Sequence, residues 1–213
     1  MMNASTRRAF VIGATGLAVM AAAHGTSFDC SKAKGEVETL VCSDASLAAL
    51  DQRLDTVYQA AVAKAKGKLA NQLRAEQRGW IKGRNDCWKA KGQPTWITAT
   101  WTVDTVRGCV EAQTRLRTSR LQAVWRLLPP RTVTYACQGN PANEVVANFF
   151  VTDPATIQLE RGDRTKTLWQ IGRPDAGSYE GQNVNLVHQG STIRLNWLDT
   201  DTGKTDELDC KAR

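Results

Sequence analysis

The sequence predicts two domains, an all-α, cysteine-bridged helical bundle over residues 26–128 and a small antiparallel β-barrel over 132–213. Ahead of Pro129-Pro130, apolar residues recur at intervals of three and four, the spacing that lines one face of a helix. Behind the two prolines the chain breaks into short runs of Val, Thr, Ile, Phe and Tyr, separated by Gly, Asp, Asn and Pro, the pattern of strands and turns. Charge changes sign at the same place. Residues 24–131 hold 18 Lys and Arg against 10 Asp and Glu, a net of +8, whereas 132–213 hold 8 against 11, a net of −3. Residues 129–131 are therefore read as the linker.

The first 25 residues read as an export signal outside the fold. Arg7 and Arg8 form a basic start, Ala9 to Met20 is an apolar run too short to span a membrane, and Ala21, Ala22 and Ala23 supply a small-residue cleavage pattern. Cleavage is expected near Ala23. Thr6-Arg7-Arg8-Ala9-Phe10-Val11 also resembles the twin-arginine export motif. No Leu-x-x-Cys lipid-attachment pattern precedes Cys30, so a periplasmic or secreted product without a lipid anchor or membrane span is expected.

In the helical half, Leu47, Leu50, Leu54, Val57, Ala61 and Ala65 make one amphipathic helix, with Asp44 placed to cap its first amides and Gly67 near its end. A second helix is expected from about Leu69 to Trp88. A third runs from about Val103 to Leu128, with Gly92-Gln93-Pro94 as the loop between them. Short loops force such helices to pack antiparallel.

In the second half the candidate strands are Thr132 to Cys137, Val145 to Val151, Thr156 to Leu159, Lys166 to Trp169, Val184 to Val187, Thr192 to Trp197 and Thr205 to Cys210. About seven strands with no helix between them indicate a barrel or sandwich.

Six cysteines in an exported chain are most simply spent on three disulfides. Cys137 and Cys210 lie in the first and last strands, so a bridge there joins the two ends of the barrel. Cys30, Cys42, Cys87 and Cys109 allow three pairings, among which sequence does not choose. Their spacings do not suit a zinc site, and two histidines cannot build a histidine-rich one. No Gly-x-Ser-x-Gly elbow is present, and the acidic run Asp199, Asp201, Asp206 and Glu207 is explained by turns. No catalytic residue, metal, cofactor or nucleic-acid partner is expected.

Phe28-Asp29-Cys30, Glu38, Val41-Cys42, Leu47 to Asp51, Tyr58, Leu73-Arg74, Gln77, Trp80, Arg84, Cys87, Cys109 and Arg120-Leu121 form an ordered series. It resembles the LprI-type lysozyme-inhibitor N-terminal domain over residues 28–125. Tyr58 and Trp80, aromatics at helical spacing, read as core residues. In the second half, Tyr135-x-Cys137, Val145 to Phe150, Ala155 to Leu159, Leu168, Tyr179-Glu180-Gly181, Asn183-Val184, Gly190 and Cys210 are similar to the MliC/PliC family. Its members are antiparallel β-barrel inhibitors of c-type lysozyme.

In that family a Ser-Gly-x-x-Tyr loop and a later Lys-Gly carry inhibition, with the Ser and Lys engaging the two catalytic carboxylates of the enzyme. Charge-assisted donors placed there block both groups. Here Tyr179 and Gly190 keep the register, but Asp175 and Ala176 hold the first two loop positions and Gln189 replaces the lysine. An aspartate facing two carboxylates is a like-charge contact, which makes Ser178 and the preceding Arg173 the compensating candidates.

The target-binding set implied by the resemblance is therefore Arg173, Asp175, Ala176, Gly177, Ser178, Tyr179, Gln189 and Gly190. The expected function is non-enzymatic inhibition of a c-type lysozyme or related muramidase by occlusion of its cleft. The alternatives are docking of the basic helical half on an anionic envelope polymer, or inhibition of a different lytic enzyme.

Overall fold

The structure is a computed structural model in which residues 25–98 and 102–213 are described. Except for Gly25, the expected export signal lies outside the described residues.

The helical half opens with a 3-10 turn, Cys30–Lys32, capped by the Asp29 side chain. Helix α1 spans Glu36–Ser43 and buries Val37 and Val41. It precedes the first helix expected from sequence, and with only two buried apolar residues its repeat is too short to stand out. Asp44 ends α1 and caps α2, Ala45–Lys64. Its Oδ1 accepts the Ser46 and Leu47 amides at 2.9 and 3.1 Å. The Ser46 hydroxyl, the Leu47 amide and Arg107 hold the Asp44 carboxyl well below the usual carboxylate range.

Helix α3 spans Gly67–Asn85. A two-strand hairpin absent from the sequence reading, β1 (Thr95–Trp96) with β2 (Thr102–Val103), then leads into α4, Val106–Val124. Twelve of the nineteen residues of α4 are buried, because it packs between the other helices on one side and the barrel on the other.

Cys30 pairs with Cys42, tying the N-terminal turn to α1, and Cys87, in the 3-10 turn Asp86–Ala90 after α3, pairs with Cys109 of α4. Packing of the helices thus selects one of the three pairings. An ion pair between Arg84 Nη1 and Asp51 Oδ1, at 3.0 Å and with both side chains only 5% exposed, crosslinks α3 and α2.

The second half is a closed antiparallel barrel of eight strands: β3 (Arg131–Cys137), β4 (Asn140–Phe150), β5 (Thr156–Arg161), β6 (Arg164–Gln170), β7 (Ser178–Gly181), β8 (Val184–Gln189), β9 (Thr192–Leu198) and β10 (Thr205–Ala212). Each strand pairs with its neighbours in sequence, and β10 closes on β3 with Cys210 opposite Cys137. The expected disulfide sits at this seam. Closure leaves no free edge strand.

Strand β7 is the one the sequence does not predict, which makes the barrel eight-stranded instead of seven-stranded. Its four residues Ser-Tyr-Glu-Gly carry no β-branched run that would signal a strand. Alternate residues, among them Tyr135, Val145, Ile157, Leu168, Leu186, Leu195 and Trp197, fill the interior.

The helical half docks on the outer face of β5 and β6. Leu168 of β6 enters the barrel core, whereas Trp169 turns outward and donates Nε1–H to Ser119 Oγ of α4 at 3.0 Å. Arg115 of α4 pairs with Asp153, and Arg126 reaches Glu160 at 3.1 Å.

Candidate functional site at one end of the barrel

In an up-and-down barrel, alternate connections emerge at the same end. The β6–β7 connection and the β8–β9 turn therefore fall together, along with the start of β3 and the β4–β5 connection. This brings the sequence-predicted residues to one place.

After β6 the chain forms a 3-10 turn, Pro174–Ala176, closed by the Ala176 amide donating to the Arg173 carbonyl at 3.0 Å. Arg173, Asp175 and Ala176 are exposed, and Arg173 Nη2 contacts Asp175 Oδ2 at 2.9 Å. Gly177 ends the turn at φ +62°, in the left-handed region that glycine tolerates best. Its carbonyl accepts the His188 amide at 2.8 Å, and an added Cβ would lie 2.2 Å from the His188 carbonyl oxygen. Only glycine lets the loop lie this close to β8.

Ser178 begins β7 and is partly buried. Tyr179 follows it and packs against the barrel core, where burial pushes its phenol pKa up. Gln189 is exposed at the end of β8, and its carbonyl accepts the Thr192 hydroxyl at 2.9 Å. Gly190 takes φ +59° in the tight turn that follows, and the Ala212 amide fastens that turn to the last strand through the Ser191 carbonyl at 2.8 Å.

Beneath these loops lies a support that the sequence reading missed. The Arg131 guanidinium carbon sits 4.3 Å above the Phe149 ring, and that ring lies 5.1 Å from the His188 ring. Burial and the neighbouring Arg131 lower the His188 pKa, with a backbone bond at Gly190 opposing them. Val151, 94% exposed, belongs to the same end. Arg131 and Phe149 face each other as cross-strand partners in the β3–β4 hairpin, and it is the barrel that brings His188 of β8 against them.

Three members of the acidic run form ion pairs at the other end: Arg164 with Asp199 and Asp201 at 3.0 and 2.6 Å, and Arg161 with Asp206 at 2.7 Å. Among the described residues, no group of three His, Cys, Asp or Glu side chains is placed to hold a metal ion, and no helix is long and apolar enough to cross a membrane.

The family model described as "Lysozyme inhibitor LprI" matches residues 30–121. The chain is also 31% identical over 178 residues to "Lipoprotein LprI" of Mycobacterium bovis (strain ATCC BAA-935 / AF2122/97), covering 81% of this chain and 80% of the relative. The same figures hold for "Lipoprotein LprI" of the CDC 1551 / Oshkosh and H37Rv strains of Mycobacterium tuberculosis.

The chain belongs to the LprI lysozyme-inhibitor family. This is a family of inhibitors and not of enzymes. The LprI family model stops at residue 121, ahead of the barrel, but 178 aligned residues exceed the 130 that precede β3, so likeness to the mycobacterial LprI proteins extends into the barrel. Those relatives are named lipoproteins. In this LprI-family chain all six cysteines, Cys30 included, are in disulfides. No solved structure matches the chain significantly.

Proposed function

We propose that the protein inhibits a c-type lysozyme or related muramidase by inserting one end of its barrel into the enzyme's cleft. The observation that carries this reading is the joining of the Arg173–Gly177 loop to the end of β8 through the Gly177–His188 bond, which holds the exposed Arg173, Asp175 and Gln189 at the same end of the barrel. Membership of the LprI family and the barrel's resemblance to MliC/PliC inhibitors support it.

Arg173 is the cationic donor in this edge suited to a carboxylate pair, and it takes the place of the lysine that Gln189 lacks. Export to the periplasm or exterior, with a signal removed near Ala23, is part of the proposal. The three disulfides fit an oxidising compartment.

The test is inhibition of hen-type lysozyme by the mature chain, compared with the double variant Asp175→Ser, Gln189→Lys. Inhibition that strengthens in the double variant supports the loop's role. No inhibition by either form at micromolar concentration rejects c-type lysozyme as the target.

A second reading rests on α3, whose exposed surface carries Lys68, Arg78 and Lys82. This face is suited to anionic envelope polymers, and retention on peptidoglycan would then fall steeply with salt.

A further inference from the structure

A groove of about 400 Å³ runs between α3, α4 and the outward face of β6. Trp80, Trp169, Ile97 and Leu116 give it indole and aliphatic surface, and Arg117 and Arg120 give it positive charge. Arg117 is only 6% exposed. Its Nε–H donates to Gln77 Oε1 at 2.9 Å, and its Nη1 lies 3.5 Å from Glu76 Oε2.

Arg117 Nη2 and Trp80 Nε1 are both buried without a hydrogen-bond partner among the described residues. A buried N–H without an acceptor is costly, and native folds leave few of them. Both residues line this groove and both orphan groups are donors, so the missing component is an acceptor. Two guanidinium groups beside the single Glu76 carboxylate make an anionic acceptor the favoured kind. Two indoles in the lining, aliphatic side chains and a volume suited to one or two sugar rings point to a saccharide carrying that acceptor.

We propose that this groove between the helical half and the barrel binds an acidic saccharide, with its carboxylate received by Arg117 and by the Trp80 indole N–H. The groove shares no residue with the set at the barrel end that carries the inhibitory reading, and the proposal does not depend on that reading.

The test is titration of the mature full-length chain with N-acetylmuramic acid and with N-acetylglucosamine, which lacks the lactyl carboxylate, followed by tryptophan fluorescence and calorimetry. The acid is expected to bind saturably and at least about tenfold more tightly than the neutral sugar. Trp80→Phe keeps the packing but removes the N–H donor, and Arg120→Ala removes an exposed charge. Each is expected to weaken binding of the acid severalfold, while Asp175→Ser, Gln189→Lys leaves it unchanged. Equal affinity for the two sugars, no saturable binding of the acid, or undiminished binding by both Trp80→Phe and Arg120→Ala would overturn the proposal.

Discussion

Arg173 Nη2 lies 2.9 Å from Asp175 Oδ2 at the exposed end of the barrel. The aspartate in the loop of the proposed inhibitory edge is thus half of an ion pair. Exposed pairs of this kind are weak, commonly below about 1 kcal/mol, so the guanidinium is free to exchange onto an enzyme carboxylate. Arg173→Ala is therefore expected to weaken inhibition at least about tenfold, because it removes a charge-assisted contact and leaves Asp175 to face like charge. Asp175→Ala should weaken inhibition less or strengthen it. Inhibition constants for the two variants check this, and a larger loss from Asp175→Ala would reverse the assignment.

Gly177 joins the loop to β8, and its left-handed backbone and closeness to the His188 carbonyl leave no room for a side chain. Gly177→Ala should cost about 1–3 kcal/mol of barrel stability and weaken inhibition further by detaching the loop. Thermal melting and inhibition measured on the same sample would show whether both fall, and an unchanged melting temperature would contradict the packing described.

His188 ties barrel stability to pH. Its pKa is lowered in the folded state by burial first and by Arg131 second. Below about pH 6.5 the unfolded chain therefore takes up the proton before the folded chain does, and acid favours unfolding. The contribution of His188 is present above that pH and is lost as pH falls through the lowered folded value. Denaturant midpoints at pH 7.5 and pH 5 should differ more in the native chain than in His188→Gln, and an equal or larger difference in the variant would refute this.

Asp51 and Arg84 form a buried pair, and Asp51 Oδ2 also accepts the Ser27 amide at 2.8 Å. Removing one partner strands the other charge away from water. Arg84→Ala should destabilise the helical half by about 3–5 kcal/mol, whereas Arg84→Met with Asp51→Leu should recover much of that loss. Urea denaturation followed by the tryptophans reads both.

The bridge between Cys137 and Cys210 closes a separation of 73 residues at the barrel seam. Replacing both cysteines with alanine should cost about 4 kcal/mol in the chain-entropy account, read as a lower denaturant midpoint for the barrel with the helical transition unchanged.

The residues of the proposed target-facing edge can be named from the sequence, and the fold brings them to one end of the barrel. Asp175, Gln189 and Gly190 were located by their register with the MliC/PliC pattern, and Arg173 by its place just before the loop. The aromatic and guanidinium support beneath them was not. Arg131 and Phe149 are partners in the β3–β4 hairpin, but His188 comes from β8, far along the chain, and each looks like an ordinary strand position alone. Asp44 was legible as a helix cap because capping acts within three residues.

Element type, the break at the two prolines, the division of charge and the seam disulfide can all be read from the chain. Each depends on residue order over a few positions, or on cysteines placed at the two ends of a meander. The two helical disulfides, α1, β7 and the groove between Trp80 and Trp169 emerge only on folding. Local periodicity records which face of an element is buried. Which elements meet is settled by closing the barrel and by packing α4 against its outer wall, and those contacts join residues whose separation along the chain carries no signal of it.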